Sequence, residues 1–229
     1  MLQEDLDNIM AKHLQREIDN LKQKILSLGA RVETAVHEAI RSIQEQDAAL
    51  ARKIIEEDIQ IDHAEVEVEE EGLKILALHQ PVAIDLRFIV AVLKINNDLE
   101  RIGDLAVNIA ERSSFLASQP AVDLYFDFAE MSEKTEAMLN MSLDSLVNLS
   151  LELAHKVCAD DDVIDTMNRE VYLRVQETIQ QCPEQIASLI HLLSVSRHLE
   201  RIADHATNIA EDVIYMIDGQ IVRHKTEDY

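Results

Sequence analysis

The chain has no tryptophan, only four glycines, three prolines and two cysteines, and 3% aromatic residues. So little glycine, proline and aromatic character leaves too few turn formers and strand formers for a β-sandwich or barrel. Two cysteines, Cys158 and Cys182, at no patterned spacing exclude a disulfide framework and a thiolate metal site. They are expected to be reduced, structural thiols of a cytoplasmic protein. No apolar run approaches the roughly 20 residues that span a bilayer, so no membrane insertion is expected. The opening Met1-Leu-Gln-Glu-Asp-Leu-Asp lacks the basic and apolar regions of a signal peptide. Positive charge is also scarce: 21 basic residues face 44 acidic ones, a net charge of −23. Such a surface repels phosphate backbones and anionic lipid, so nucleic acid is not an expected partner, whereas cations and basic protein surfaces are.

What remains is rich in Ala, Leu, Ile, Glu and Asp, the composition of an all-α protein. Apolar residues recur at three- and four-residue spacing, as in Leu14, Ile18, Leu21, Ile25, Leu28, Val32, Val36, Ile40 and Ile43, the pattern of one long helix. Asp47 is placed to cap a second helix running to about His79, where Gln80-Pro81 stops it. A third starts near Pro81, which suits a first-turn position, and runs to about Ala117. Ser118-Gln119-Pro120-Ala121 reads as a linker. Helices over about Asp123–Ser150, Leu151–Gln181 and Pro183–Gly219 repeat the plan.

Leu99-Glu-Arg-Ile-Gly-Asp-Leu-Ala-Val-Asn-Ile-Ala-Glu111 recurs as Leu199-Glu-Arg-Ile-Ala-Asp-His-Ala-Thr-Asn-Ile-Ala-Glu211, with ten of thirteen positions identical at an offset of 100. A second alignment, at an offset of 103, pairs Asp58, Ile61, Asp62 and Val68 with Asp161, Ile164, Asp165 and Val171. These repeats predict two pseudo-symmetric up-down-up three-helix bundles, six long helices in all, from an internal duplication. The expected domains are residues 1–117 and 123–229.

At about 100° per residue, Glu100, Asp104, Asn108 and Glu111 share a sector roughly 80° wide, opposite the apolar Leu99, Ile102, Ala106 and Ile109. Glu200, Asp204, Asn208 and Glu211 repeat that stripe. Asp58 with Asp62, and Asp161 with Asp165, add acidic i,i+4 pairs on neighbouring helices. Such like-charge pairs destabilise a helix unless something cationic compensates. One pair in so acidic a chain marks only a solvated face. Four pairs in matching contexts instead point to two all-oxygen sites for hard divalent cations, with Arg101 and Arg201 beside them. Imidazole ligands are not expected: Glu33-x-x-x-His37 occurs in one half only, and His63 and His205 point about 100° away from their acidic neighbours, towards solvent or a partner. There is no phosphate loop and no nucleophile elbow. A non-enzymatic role is therefore favoured over a metal-dependent hydrolase or oxidase, or a purely structural scaffold.

Gln80-Pro-Val-Ala-Ile-Asp-Leu-Arg87, Leu99-Glu-Arg-Ile-Gly-Asp104, the second copy through Asn208, and Gly219-Gln220 followed by Arg223-His224 together resemble the PhoU family, across nearly the whole chain. That resemblance implies two three-helix bundles carrying clusters of metal ions, with iron, zinc, manganese and magnesium represented in the family. Carried over, the ligands of one site are Asp58, Asp62, Glu100 and Asp104. Those of the other are Asp161, Asp165, Glu200 and Asp204. The resemblance also implies a cytoplasmic, often homodimeric negative regulator of phosphate uptake and phosphate-starvation signalling. Its implied partners are the phosphate transporter ATPase subunit and a phosphate sensor histidine kinase. Two departures stand out: Ala203 in place of the usual glycine, and no counterpart of Asp85 and Arg87 after Pro183. The latter pair is therefore a candidate for partner contact.

Overall fold

The structure, a computed structural model, describes residues 2–120, 122 and 128–219, with side chains from residue 12 onward. The elements among the described residues are helices, α1 (Leu2–Gln44), α2 (Ala48–Glu57), α3 (Ile59–His79), α4 (Ala83–Leu116), α5 (Phe128–Asn148), α6 (Leu151–Gln181) and α7 (Ile186–Asp218), with short non-helical stretches between some of them. The start assigned to the fourth helix, at about Asp123, and the residues after Gly219 lie outside the described residues. Asp47 caps α2 as its type suggests, its Oδ1 accepting from the Ala49 and Leu50 amides at 2.9 and 3.0 Å.

Asp58 alone separates α2 from α3, and its dihedrals remain helical (φ −55°, ψ −35°). Its carbonyl accepts from both the Ile61 and Asp62 amides, at 2.8 and 3.1 Å. The expected second helix therefore exists as one interrupted rod. α4 begins later than Pro81. Gln80 closes α3 in the left-handed region (φ 46°), its N–H bonding the Leu76 carbonyl, and Val82 is extended. The peptide before a proline disfavours the right-handed helical region, which places the turn ahead of α4. Pro183 opens a 3-10 turn, Pro183–Gln185, ahead of α7. Between α5 and α6, where no glycine or proline marks the boundary, Ser150 is the cap, accepting from the Leu153 amide.

α1, α2–α3 and α4 form one three-helix bundle and α5, α6 and α7 the other; α4 and α7 pack against each other between them. Their direction is antiparallel: Lys94 bonds Asp212, while Asp98 bonds His205 and Asn208. The sequence divides the chain in two, but the main core does not. Leu21, Val36, Ile75, Ile95, Leu99 and Ile102 belong to the same apolar cluster as Met138, Leu139, Ile164, Leu199, Ile202 and Ile209. A smaller cluster of Val171, Val175 and Leu189 lies towards the α6–α7 hairpin.

Candidate metal centre

The first tetrad sits where α2–α3 lies against α4. Asp58 occupies the interruption and Asp62 follows one turn later; Glu100 and Asp104 face them from α4. Gly103 lets the helices approach: a Cβ there would stand 3.1 Å from Ile61 Cγ2 and 3.7 Å from Asp58 Oδ1. The four charges act on one another. Burial, then Asp62, Asp104 and Glu100, push the Asp58 carboxyl up to about 6. Glu100 is raised by burial and Asp104, against the pull of Arg101. Glu100 Oε2 is buried without a hydrogen-bond donor. Its nearest recorded cation is Arg101, whose Nε lies 3.5 Å away while Nη1 reaches Asp104 Oδ2 at 3.4 Å.

The second tetrad is built the same way from α6 and α7. One carboxylate oxygen each from Asp165, Glu200 and Asp204 lies within 4.8 Å of the others. Burial raises Asp161, Glu200 and Asp204; the next cause is Asp204 for Asp161 and Glu200, and Asp165 for Asp204. Arg169 holds Asp165 at 2.9 Å. The repeats differ in the support of two ligands: Arg169, which pairs with Asp165, corresponds to Val66 in the first copy, and Thr207 Oγ1 donates to Asp161 Oδ1 at 3.2 Å, an interaction that lowers that carboxyl. Val107 takes the matching position in the first copy and has no donor to offer Asp58.

These residues fit a metal ion. Each tetrad offers only carboxylate oxygens, the donors a hard divalent cation takes. The raised proton affinities of Asp58, Glu100, Asp161, Glu200 and Asp204 reflect burial first and neighbouring negative charge second, which a proton or a cation offsets, and Glu100 Oε2 is a buried acceptor lacking a donor. Asp58, Asp62, Glu100 and Asp104 would hold ions in one half, and Asp161, Asp165, Glu200 and Asp204 in the other.

Other residues of the stripes serve the framework. Asn108 donates to the Asp104 carbonyl, and Asn208 to Asp98 Oδ1 at 3.3 Å. His205 does not face solvent, as its place beside Asp204 had implied; it turns inward, Nδ1 lying 2.8 Å from Asp98 Oδ1. An ionised carboxylate only accepts, so the ring donates. Asp98, 9% exposed, is the residue that sequence reasoning missed. Its repeat position holds His198 instead, whose ring burial, then Arg112, Arg201 and Arg197, push down to about 4. Asp98→Ala is expected to cost about 1–3 kcal/mol by stranding His205 and Asn208, measurable by urea unfolding.

His63 is exposed, and His37 meets Glu136 of α5 at 3.2 Å. Arg87 is half-buried over the end of α7, where a Cβ on Gly219 would run into its guanidinium; it is not an ordinary exposed partner of Asp85. Both cysteines are free thiols, and burial pushes Cys158 up to about 12.

A family model described as the PhoU domain matches residues 25–113 and again residues 128–213. The chain is 38% identical over 210 residues to the phosphate-specific transport system accessory protein PhoU homolog of Aquifex aeolicus, covering 92% of this chain and 95% of that protein. It is 32% identical over 222 residues to the protein of the same name from Pseudomonas aeruginosa, covering 96% of this chain and 92% of that one. The crystal structure of PhoU from Pseudomonas aeruginosa superposes with a TM-score of 0.87 at 32% identity, over 90% of this chain and 99% of that chain. PhoU from Streptococcus pneumoniae, a phosphate transport system regulatory protein, superposes with a TM-score of 0.80 at 28% identity, over 91% of this chain and 99% of that chain. With a matched domain in each half and relatives aligned over nearly its whole length, this chain belongs to the PhoU family.

Proposed function

We propose that this protein is a metal-binding adaptor that restrains phosphate uptake and phosphate-starvation signalling. The observation that carries the metal part is the approach of Asp165, Glu200 and Asp204, one carboxylate oxygen each, to within 4.8 Å of one another, supported by the duplicate acids Asp62, Glu100 and Asp104 in the other half. The regulatory part is supported by relatives named as accessory proteins of phosphate-specific transport systems. None of the helices among the described residues is long and apolar enough to cross a membrane, so the adaptor meets a membrane system through protein contacts. Its partners are the phosphate transporter ATPase subunit and the phosphate sensor histidine kinase. It works in the cytoplasm as a homodimer and performs no catalysis of its own.

In this reading a bound magnesium, manganese, iron or zinc ion supplies positive charge between neighbouring helices. The carboxylates of α2–α3 and α4 hold it in one half, and those of α6 and α7 in the other. Carboxylate oxygen favours magnesium or manganese over zinc on softness grounds. Arg101 and Arg169 lie against the same carboxylates and offset part of their repulsion when ions leave.

Deleting the gene is expected to raise alkaline phosphatase expression in phosphate-rich medium, with repression restored by the wild-type gene. Unchanged expression in the deletion strain would remove the regulatory reading.

A further inference from the structure

α2 and α3 carry an outward apolar line that stands half-exposed. Ile55, Ile59, Val66 and Leu73 are 37, 52, 47 and 52% exposed. At about 100° per residue they share a sector roughly 40° wide, and Ile59, Val66 and Leu73 recur every seventh residue over about 21 Å of helix. Exposed acids border the line on both sides, Glu69 on one and Glu56 and Glu70 on the other, with Arg52 at its α2 end.

The duplication provides an internal control. At the offset of 103 that superposes the candidate ligands, Ile59, Val66 and Leu73 correspond to Asp162, Arg169 and Gln176 on α6, all exposed. The bundle architecture therefore does not need apolar side chains at these positions. One half carries them and the other does not, although the buried faces of both match.

We infer that this face of α2–α3 docks an amphipathic helix of a partner protein, one whose apolar seam is flanked by lysine and arginine. A sevenfold apolar repeat on a helix fits another helix laid alongside it. The acidic borders select basic flanks and reject like charge. A second copy of this chain placed face to face would set Glu69 and Glu70 against their own counterparts. Anionic lipid is repelled by the same borders and by the net charge of −23. The inference rests on this surface and not on metal in either tetrad.

The test uses the full chain and a synthetic helical peptide of about three heptads, with leucine along its seam and lysine on both flanks. A sequence isomer carries glutamate on the flanks instead. Wild-type protein is expected to bind the lysine peptide, and Ile59→Ser/Val66→Ser/Leu73→Ser to bind it at least about tenfold more weakly with unchanged thermal melting. Substituting Glu69→Gln/Glu70→Gln is expected to weaken binding and flatten its salt dependence. Equal affinity of wild type and the triple serine variant would overturn the inference, as would equal binding of the glutamate isomer. Two further results would overturn it: binding to phosphatidylcholine vesicles, or self-association in sedimentation, that the serine variant abolishes.

Discussion

Leu99→Ala is expected to destabilise the entire chain by about 2–5 kcal/mol, with both halves still unfolding in one transition. Leu99 has 0% exposure and Leu199 has 1%, and they belong to a single apolar cluster that runs through α4 and α7 into both bundles. The truncation leaves a cavity at the centre of that shared core, and the close packing of protein interiors allows only partial collapse. Urea unfolding followed by circular dichroism reads both the loss and the number of transitions. Two separable transitions, one at the wild-type midpoint, would show independent domains and contradict the shared core. Leu173→Ala, at a residue 57% exposed, is expected to change stability by no more than about 0.5 kcal/mol.

The metal-free protein is expected to lose stability as pH rises from about 4 to about 6, the reverse of a protein whose carboxylates are well paired. The Asp58 carboxyl stands at about 6 through burial and the charges of Asp62, Asp104 and Glu100, against about 3.9 in an unfolded chain. Glu100, Asp161, Glu200 and Asp204 are raised too, burial being the first cause for each. Between the two values the native state binds protons that the unfolded state does not, so unfolding free energy falls with rising pH. Above the folded values the penalty is complete and the curve flattens.

These groups are partly solvated, so after discounting for solvent screening the combined effect is about 1–2 kcal/mol, or roughly 2–8 °C in melting temperature for a chain of this size. Saturating divalent cation is expected to abolish the slope, because the ion replaces the proton. Asp58→Asn is expected to reduce the slope without added metal. A melting temperature that rises across this window in chelator, or a slope untouched by Asp58→Asn, would contradict the crowding of charge described for the first tetrad.

Most of the fold is legible in the sequence because the information is local or repeated. The caps, the stops at Gln80-Pro81 and the offsets of 100 and 103 each report on a single helix or a copied pair. The four acidic pairs follow from the same offsets, since two acids a turn apart share a helical face. Other features depend on what a helix meets in space. His205 lies about 100° around the helix from Asp204, and only the antiparallel pairing of α4 with α7 puts Asp98 there. Arg87 sits in a motif that reads as exposed, and the end of α7 covers it. The interruption at Asp58 falls opposite Gly103, where α4 comes close enough that a Cβ would touch Ile61. The unequal support of Asp58 and Asp161 was visible as Val107 against Thr207, but its meaning required knowing that this position points at the ligand.

Metal content of the purified protein tests the central claim most directly, measured by mass spectrometry after dialysis. It should be compared with the variants Glu100→Gln/Asp104→Asn and Glu200→Gln/Asp204→Asn. Two independent carboxylate sites require that native protein retain metal and that each variant keep about half of it. Metal absent from the native protein, or equal in all three, would contradict the assignment of the tetrads as metal centres.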